Sequence, residues 1–471
     1  MSRRFAVPDG WTVCAYRFAL APNAAAEKAL YGHCGAARFA YNHLLALTRA
    51  NIAQRRAEAS YGLSGDDLIP ALNWSAPGLR KIWNQRKHWA AVNSETGQIW
   101  WDAYSKEAYS SACQNLAAAL ANWHQSHTGQ RAGRTMGFPR FKRKKGDALG
   151  SVTFTTGAIR LDDRTHVVLP RIGRVKTHES TRKLARRIEA GTARILAATI
   201  KREHGRWFVV FRCLIQRQAR SPRKPSTAVG VDLGITTLAV TSDGIRHPNP
   251  RYMVKALGDL RRQSRKVCRR QGPDKRTGFG GSKRWHRASR RRNRVQHRVA
   301  DQRRDGLHKL TSHLVATYGA ICVEDLNVAG LLRNCKLARA IADCGFGQMR
   351  HMLTYKSVWA GTVFALADRW YPSSKTCSSC KAVKTKLALS ERTFICGHCG
   401  LVLDRDLNAA INLADQITIL FPEWPGEVKR GRGARISPPC AVAVGTEAST
   451  RRPGCPVQGP SGGNARITDH R

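Results

Sequence analysis

The chain has 471 residues and a mass of 52.2 kDa, enough for two or three domains with real cores. Its 80 Lys+Arg against 32 Asp+Glu give a formal charge of +48, a self-repulsion that opposes compaction unless a polyanion neutralises it. No apolar run is long enough to span a membrane, and MSRRFAVPDG has no secretory core, so nucleic acid rather than a bilayer is the indicated partner.

WTVCAYRFAL (11–20) alternates as a strand does. Asn23 then offers an N-cap for a helix running to about Ala59, with Leu30, Ala37, Tyr41, Leu44 and Leu45 near one stripe. Residues 60–95 are less regular and mix aromatic with basic side chains. The tryptophans between 74 and 101 read as core rather than as a site. A second strong helix spans about Ser105–Gln125. A Gly/Arg/Lys loop follows over 128–148. Strands come next in SVTFTTG, AIRLDD, HVVLP, ARILAATIKRE and RWFVVFRCLI, with one short helix at 181–190 and a hairpin signal at His204-Gly205. RQARSPRKPST (217–227) has the composition of a linker.

A second α/β unit opens at Ala228 with two strands around Gly234. A very basic segment runs from Lys255 to Lys309, broken by QGPDKRTGFGG. Then come a strand (AICVE), a helix around 348–359, a strand (TVFALA), a cysteine cluster and a helix from Asn408 to about Leu420. Residues 422–471 are rich in Gly, Pro, Arg and Ser without periodicity and read as disordered.

Cys377-x2-Cys380 and Cys396-x2-Cys399, fifteen residues apart, have the spacing of two thiolate turns completing a tetrahedral zinc site. Four cysteines fill the coordination sphere, so this zinc is expected to be structural. Gly397 and Gly400 supply backbone freedom to the second turn, and His398 is expected to face solvent. The other ten of the 14 cysteines are scattered, as reduced thiols of a cytosolic protein are.

Three acids stand apart. Asp232 lies in AVGVDLG and Glu324 in ICVEDLN, both apolar, β-branched runs, while Asp406 in DRDLNAA opens a helical stretch. A carboxylate in such a setting is costly to bury unless paired or bound to a metal. The order strand-Asp-Gly-strand, strand-Glu, Asp-helix is that of RNase H-like folds. Oxygen ligands that leave positions open suit magnesium, two ions of which serve phosphodiester cleavage. Asp232, Glu324 and Asp406 are therefore assigned as ligands. Asp406 is preferred to Asp404 because it directly precedes LNAAINLA, and Asp404 and Asp325 are read as a cap or solvent-facing charge.

Basic residues at 255–309, among them Arg290, Arg291 and Arg294 in RRRNR, lack the carboxylates that would pair them, so phosphate contact is the better account. In GFPRFKRKKG, Phe138, Arg140, Phe141, Lys142 and Arg143 fit stacking on unpaired bases plus phosphate contact. A basic loop anchored by two core phenylalanines fits equally.

HCGAARFAYN, GFPRFKRKK, GVDLGITTLAV, VEDLNVAG, RWYPSSKTCSSC…CGHCG and DRDLNAAINLA, in this order over about 11–421, resemble the TnpB (OrfB) proteins of bacterial insertion sequences and the compact type V CRISPR effectors related to them. The resemblance implies a multidomain α+β chain of the bacterial cytoplasm. A β-barrel wedge domain (1–20 and 131–220) would hold an inserted helical recognition domain (21–130). An RNase H-like (RuvC) α/β nuclease domain (221–370 and 404–421) would carry an inserted zinc ribbon (371–403). It implies an RNA-guided endonuclease that cuts double-stranded DNA beside a short flanking motif. One magnesium-dependent site would use Asp232, Glu324 and Asp406, and the four cysteines would bind zinc. The intact acids argue against a non-cleaving RNA-guided regulator, and no Tyr or Ser nucleophile motif supports a DNA-rejoining transposase. The tail favours a transposon-encoded protein over a CRISPR effector. Oligomeric state is not written in the sequence.

Overall fold

The computed structural model describes residues 6–143, 150–217, 221–274, 276–388 and 390–428. The first unit is built on strands β1 (Trp11–Ala21), β2 (Ser151–Phe154), β3 (Arg160–Leu161), β4 (His166–Leu169), β5 (Gly173–Thr177), β6 (Ala193–Glu203) and β7 (Arg206–Gln216). They form an antiparallel sheet in the order β2-β6-β7-β1-β5-β4-β3. β2 and β3 end this order, with no ladder between them among the described residues. β1 pairs with β7 from Trp11–Gln216 to Leu20–Trp207, which closes a chain excursion of nearly the whole unit. The β6–β7 turn needs positive φ at both central residues, and His204 (52°) and Gly205 (84°) supply it.

Between β1 and β2 come the helices α1 (Ala24–Ser60), α2 (Ala76–Ala90) and α3 (Lys106–His127). Asn23 caps α1 by accepting from the Ala26 amide at 2.8 Å, and Leu30, Ala37, Tyr41, Leu44 and Leu45 are all buried. Ser105 caps α3, whose Ala108, Ala112, Leu116 and Leu120 pack beneath. α2 is absent from the periodicity because it buries only Leu79 and Trp83. Trp83 is core, as expected of the Trp-rich stretch, but Trp89 is exposed. β5 is a further strand that the sequence does not announce: its buried pattern amounts to Val175 and Thr177.

α4 (Arg182–Glu189) precedes β6. The second unit contains β8 (Lys224–Asp232), β9 (Thr237–Thr241), β10 (Arg246–Pro248), α5 (Tyr252–Cys268), α6 (Lys283–Thr317), β11 (Tyr318–Glu324), α7 (Val328–Leu331), α8 (Ala338–Cys344), α9 (Phe346–Ala360), β12 (Val363–Ala367), β13 (Thr393–Ile395), β14 (Val402–Asp404), α10 (Arg405–Leu420) and β15 (Glu427–Val428). The sheet order is β10-β9-β8-β11-β12, with β8, β11 and β12 parallel. The expected linker is shorter than its composition implies, because Lys224–Thr227 already belong to β8. The tail expected to be disordered from 422 begins ordered: β15 pairs with β8 at Thr227 and Ala228, satisfying edge backbone groups, and Trp424 packs beside it. The rest of that expectation, 429–471, lies outside the described residues.

Strand alternation divides the second core. Val229, Val231, Ile321 and Val323 face α6 and α9. Ala228, Ala320, Cys322, Ala365 and Ala367 face Leu413 and Ile417 of α10. The α10 face is lined by small side chains, so the helix lies close on the strands. A Cβ on Gly230 would sit 2.0 Å from the Ala410 carbonyl oxygen and 2.3 Å from the Ala414 nitrogen. Both neighbours are backbone and cannot swing aside. Gly230→Ala is expected to cost at least about 3 kcal/mol of stability, read as a lowered urea midpoint with Gly258→Ala, where nothing lies within 4 Å, as the control.

Candidate metal centres

Asp232 ends β8 and Glu324 ends β11. Val231 pairs with Val323, so the two acids follow at the carboxyl ends of adjacent parallel strands. By alternation both lie on the face shared with Ala228 and Ala320, where α10 packs. The first turn of α10 supplies the third acid. Asp404 Oδ1 accepts from the amides of Asp406 (3.1 Å) and Leu407 (3.0 Å), and its Oδ2 pairs with Arg246 at 2.8 Å. Asp404 is therefore the N-cap, with both oxygens engaged. Among the described residues, Asp406 has only a long contact from Arg405, at 3.4 Å. Asp325 is likewise committed, paired with Arg350 and, at 2.6 Å, with Arg369.

The three carboxylates act on one another. Burial first, then the charges of Glu324 and Asp406, hold Asp232 well above the ordinary carboxylate range, with Arg405 opposing. A cluster of like charges at one sheet end is what a hard divalent cation relieves, and Asp232, Glu324 and Asp406 fit one. They stand further apart than the cysteine sulfurs do. Among the described residues, only the four cysteines form a group of potential ligands all within 4.8 Å of one another.

Cys377 and Cys399 sulfurs are 3.6 Å apart, as are those of Cys380 and Cys396. Tetrahedral zinc with bonds of about 2.3 Å sets sulfurs about 3.8 Å apart, so the donor set fits. Burial works to raise the Cys396 thiol, but hydrogen bonds from the amides of Cys399 and His398 and from the Cys380 and Cys377 thiols together outweigh it and bring it down to about 6. The two turns match. Lys381 donates its amide to the Cys377 carbonyl at 3.1 Å, and Gly400 donates to Cys396 at 3.0 Å, both in the left-handed region (φ 63° and 71°). The backbone freedom expected at Gly397 is needed only at Gly400. His398 is exposed, as expected.

The basic loop combines its two readings. Phe138 packs on Trp123 (4.9 Å between ring centroids) and on the first core, whereas Phe141 is exposed with the Arg49 guanidinium 4.8 Å from its ring. Asn42 clamps the Lys142 backbone at 2.8 and 2.9 Å, and the Lys142 amine lies 3.9 Å from the Tyr41 ring. Arg140 and Arg143 are exposed. On α6, so are Arg290, Arg291 and Arg294.

Sequence reasoning missed Asn408 and Asn412, both fully buried on α10. Asn408 donates to the Thr376 carbonyl (2.7 Å) and accepts from the Ser378 amide (2.9 Å). Asn412 donates to the carbonyls of Ser373 (2.9 Å) and Thr376 (2.6 Å). Two asparagines four apart in the apolar run LNAAINLA were the available signal, because buried amides demand partners. Ser373, which donates its hydroxyl to Glu324 Oε1, left no such trace.

A protein of Mycobacterium tuberculosis (strain H37Rv) named "Putative RNA-guided DNA endonuclease" is 39% identical over 454 residues, covering 93% of this chain and 94% of that protein. This chain belongs to the TnpB (OrfB) family. Escherichia coli K12 InsQ, also named "Putative RNA-guided DNA endonuclease", is 25% identical over 419 residues, covering 85% of this chain and 91% of its own. Family models match residues 210–335 ("Probable transposase"), 346–413 ("Cas12f1-like, TNB domain") and 14–57 ("Helix-turn-helix domain"). In this TnpB-family member residues 14–57 are strand and one unbroken helix, without a turn. A Cas12f1–sgRNA–target DNA complex solved by cryo-EM aligns over 86% of this chain and 99% of that chain, at 13% identity and a TM-score of 0.43.

Because the folded protein raises the Asp232 pKa, the stability this acid contributes is present below the ordinary aspartate range and is lost as pH rises through the raised value. In magnesium-free buffer at pH 8, Asp232→Asn is expected to melt above wild type, with the difference vanishing on acidification. Added Mg2+ is expected to raise the wild-type melting temperature and to leave the variant's where it was.

Proposed function

We propose that this protein is an RNA-guided DNA endonuclease that cuts double-stranded DNA beside a short flanking motif, at one RuvC-type site. The observation that carries the reading is the meeting of Asp232, Glu324 and Asp406 from β8, β11 and α10 at one end of the second sheet. These three side chains would hold two magnesium ions, which when bound activate a water and stabilise the leaving oxygen of a phosphodiester. Arg246 and the α10 amides keep Asp404 out of the ligand set, and Arg350 and Arg369 do the same for Asp325. The cysteine site would hold a structural zinc that fixes the ribbon without taking part in the chemistry.

In this reading the seven-stranded sheet is the wedge domain (1–20 and 131–220), closing as a barrel, and α1–α3 form the recognition domain (21–130). Residues 221–370 and 404–421 are the RuvC domain, and 371–403 the ribbon that touches target nucleic acid. Guide RNA supplies sequence specificity by pairing, and the protein reads only the flanking motif. Arg140, Phe141, Lys142 and Arg143 on the docked loop, with Phe138 as its anchor, and Arg290, Arg291 and Arg294 on α6 contact nucleic acid. The exposure of Arg140, Phe141, Arg143, Arg290, Arg291 and Arg294, with a formal charge of +48 on the chain, supports that role. A transposon-encoded enzyme is the preferred source over a CRISPR effector.

The test uses the protein with its co-purifying RNA, sequenced to design the target. Asp232→Ala and Asp406→Asn are each expected to lower Mg2+-dependent cleavage by at least about 1,000-fold while RNA binding persists. Asp404→Asn, which keeps a capping side chain, retains cleavage within about ten-fold. RNA affinity falls steeply between 50 and 200 mM salt, by about 1,000-fold or more if six or more phosphates are contacted. Cleavage that survives Asp232→Ala removes the site assignment.

A further inference from the structure

Glu324 is held by a residue outside both the sheet and α10. Ser373 lies on the segment that leads from β12 into the first cysteine turn, and its hydroxyl donates to Glu324 Oε1. Ser373 is only 2% exposed, so its hydroxyl has little access to water as an alternative partner. Its carbonyl in turn accepts from Asn412 Nδ2 of α10 at 2.9 Å. The same segment is pinned to α10 at Thr376, by both asparagines, and at Ser378, by Asn408. Asn408 and Asn412 are fully buried, so these bonds are dry as well.

We propose that Ser373 is a positioning residue for Glu324. A free glutamate side chain has several rotamers, and ordering it costs about 1.5–2 kcal/mol of entropy. The Ser373 hydroxyl fixes one carboxylate oxygen and leaves the other to the site. Asn412 fixes Ser373 against α10, the helix whose first turn carries Asp406. Two acids contributed by different segments are thereby set against a single frame. Outer hydrogen bonds of this kind to ligating carboxylates are worth about 10–100-fold in metal affinity or activity. The inference rests on the nuclease reading of the carboxylate centre, but part of its test does not.

The test compares wild type, Ser373→Ala, Glu324→Gln and the double variant, each titrated with Mn2+ and followed by electron paramagnetic resonance. Ser373→Ala is expected to weaken Mn2+ binding about ten-fold or more, and to lower guided cleavage at limiting Mg2+ with partial recovery at high Mg2+. Zinc content, melting temperature and target-DNA binding of the RNA-loaded protein stay as in wild type. In the Glu324→Gln background the same change leaves Mn2+ affinity where it was, because the group being positioned is gone. Unchanged Mn2+ affinity in Ser373→Ala overturns the proposal. So does an equal loss in the Glu324→Gln background, or a joint loss of zinc and DNA binding, which would make Ser373 merely structural. A chain that cleaves no guided target yet shows the Glu324-dependent Mn2+ shift overturns the nuclease reading and keeps this one.

Discussion

The close seating of α10 on β8 is the contact on which the rest of the second unit depends. Gly230 lies against the Ala410 and Ala414 backbone, leaving no room for a Cβ. That approach brings the first turn of α10 to the carboxyl ends of β8 and β11, where Asp232 and Glu324 emerge. A larger residue at any of the small positions on this face would lift the helix and carry Asp406 away from its partners. The alanine-rich composition of LNAAINLA and the alanines of β8, β11 and β12 are thus part of the site's geometry.

Electrostatics run in opposite directions in the two parts of the molecule that matter. Over the chain as a whole, cations outnumber carboxylates, and exposed arginines on α6 and around the 138–143 loop lie where a polyanion can reach them. At the end of the sheet, carboxylates are gathered until one of them is pushed out of its ordinary range. The neighbouring acids are engaged by specific partners: Arg246 and two amides for Asp404, two arginines for Asp325. What is left is a group of like-charged acids at one sheet end in a strongly positive molecule.

The cysteine-bearing segment is tied to α10 rather than hung from it. Phe394, Leu401 and Leu403 pack with Ile411 of α10, and the two buried asparagines bind the approach segment. Lys381 accepts the left-handed conformation that a glycine takes in the second turn, and its amine reaches Asn412 (3.2 Å) and Asp415 on α10. A substitution that looks conformationally costly therefore buys a cross-element tie. The order of the motifs along the chain, cysteines and then DRDLNAAINLA, reflects this: α10 serves the ribbon with its asparagines and the carboxylate centre with its first turn.

Much of the architecture was legible in the chain. Alternation in WTVCAYRFAL, the capped stripe of α1, the His204-Gly205 turn and the doubled Cys-x2-Cys are local patterns, and local backbone and side-chain physics is enough to specify them. Elements with little buried surface were not legible: α2 buries two side chains, β5 has almost no apolar alternation, and β15 is two residues that pair with β8. In sequence, Asp406 was preferred to Asp404 for its adjacency to a helical run; what only the fold shows is that the cap and Arg246 engage both Asp404 oxygens. Ser373 was beyond the sequence altogether, and the asparagine pair in LNAAINLA signalled a need for partners without saying which. By itself, then, the sequence determined which residue types and local elements the chain carries, because those follow from near-neighbour spacing. Tertiary structure alone decided which acids face one another, which are neutralised and what holds Glu324, because hydrogen bonds and charge pairs between distant segments exist only after the helix has been seated on the sheet.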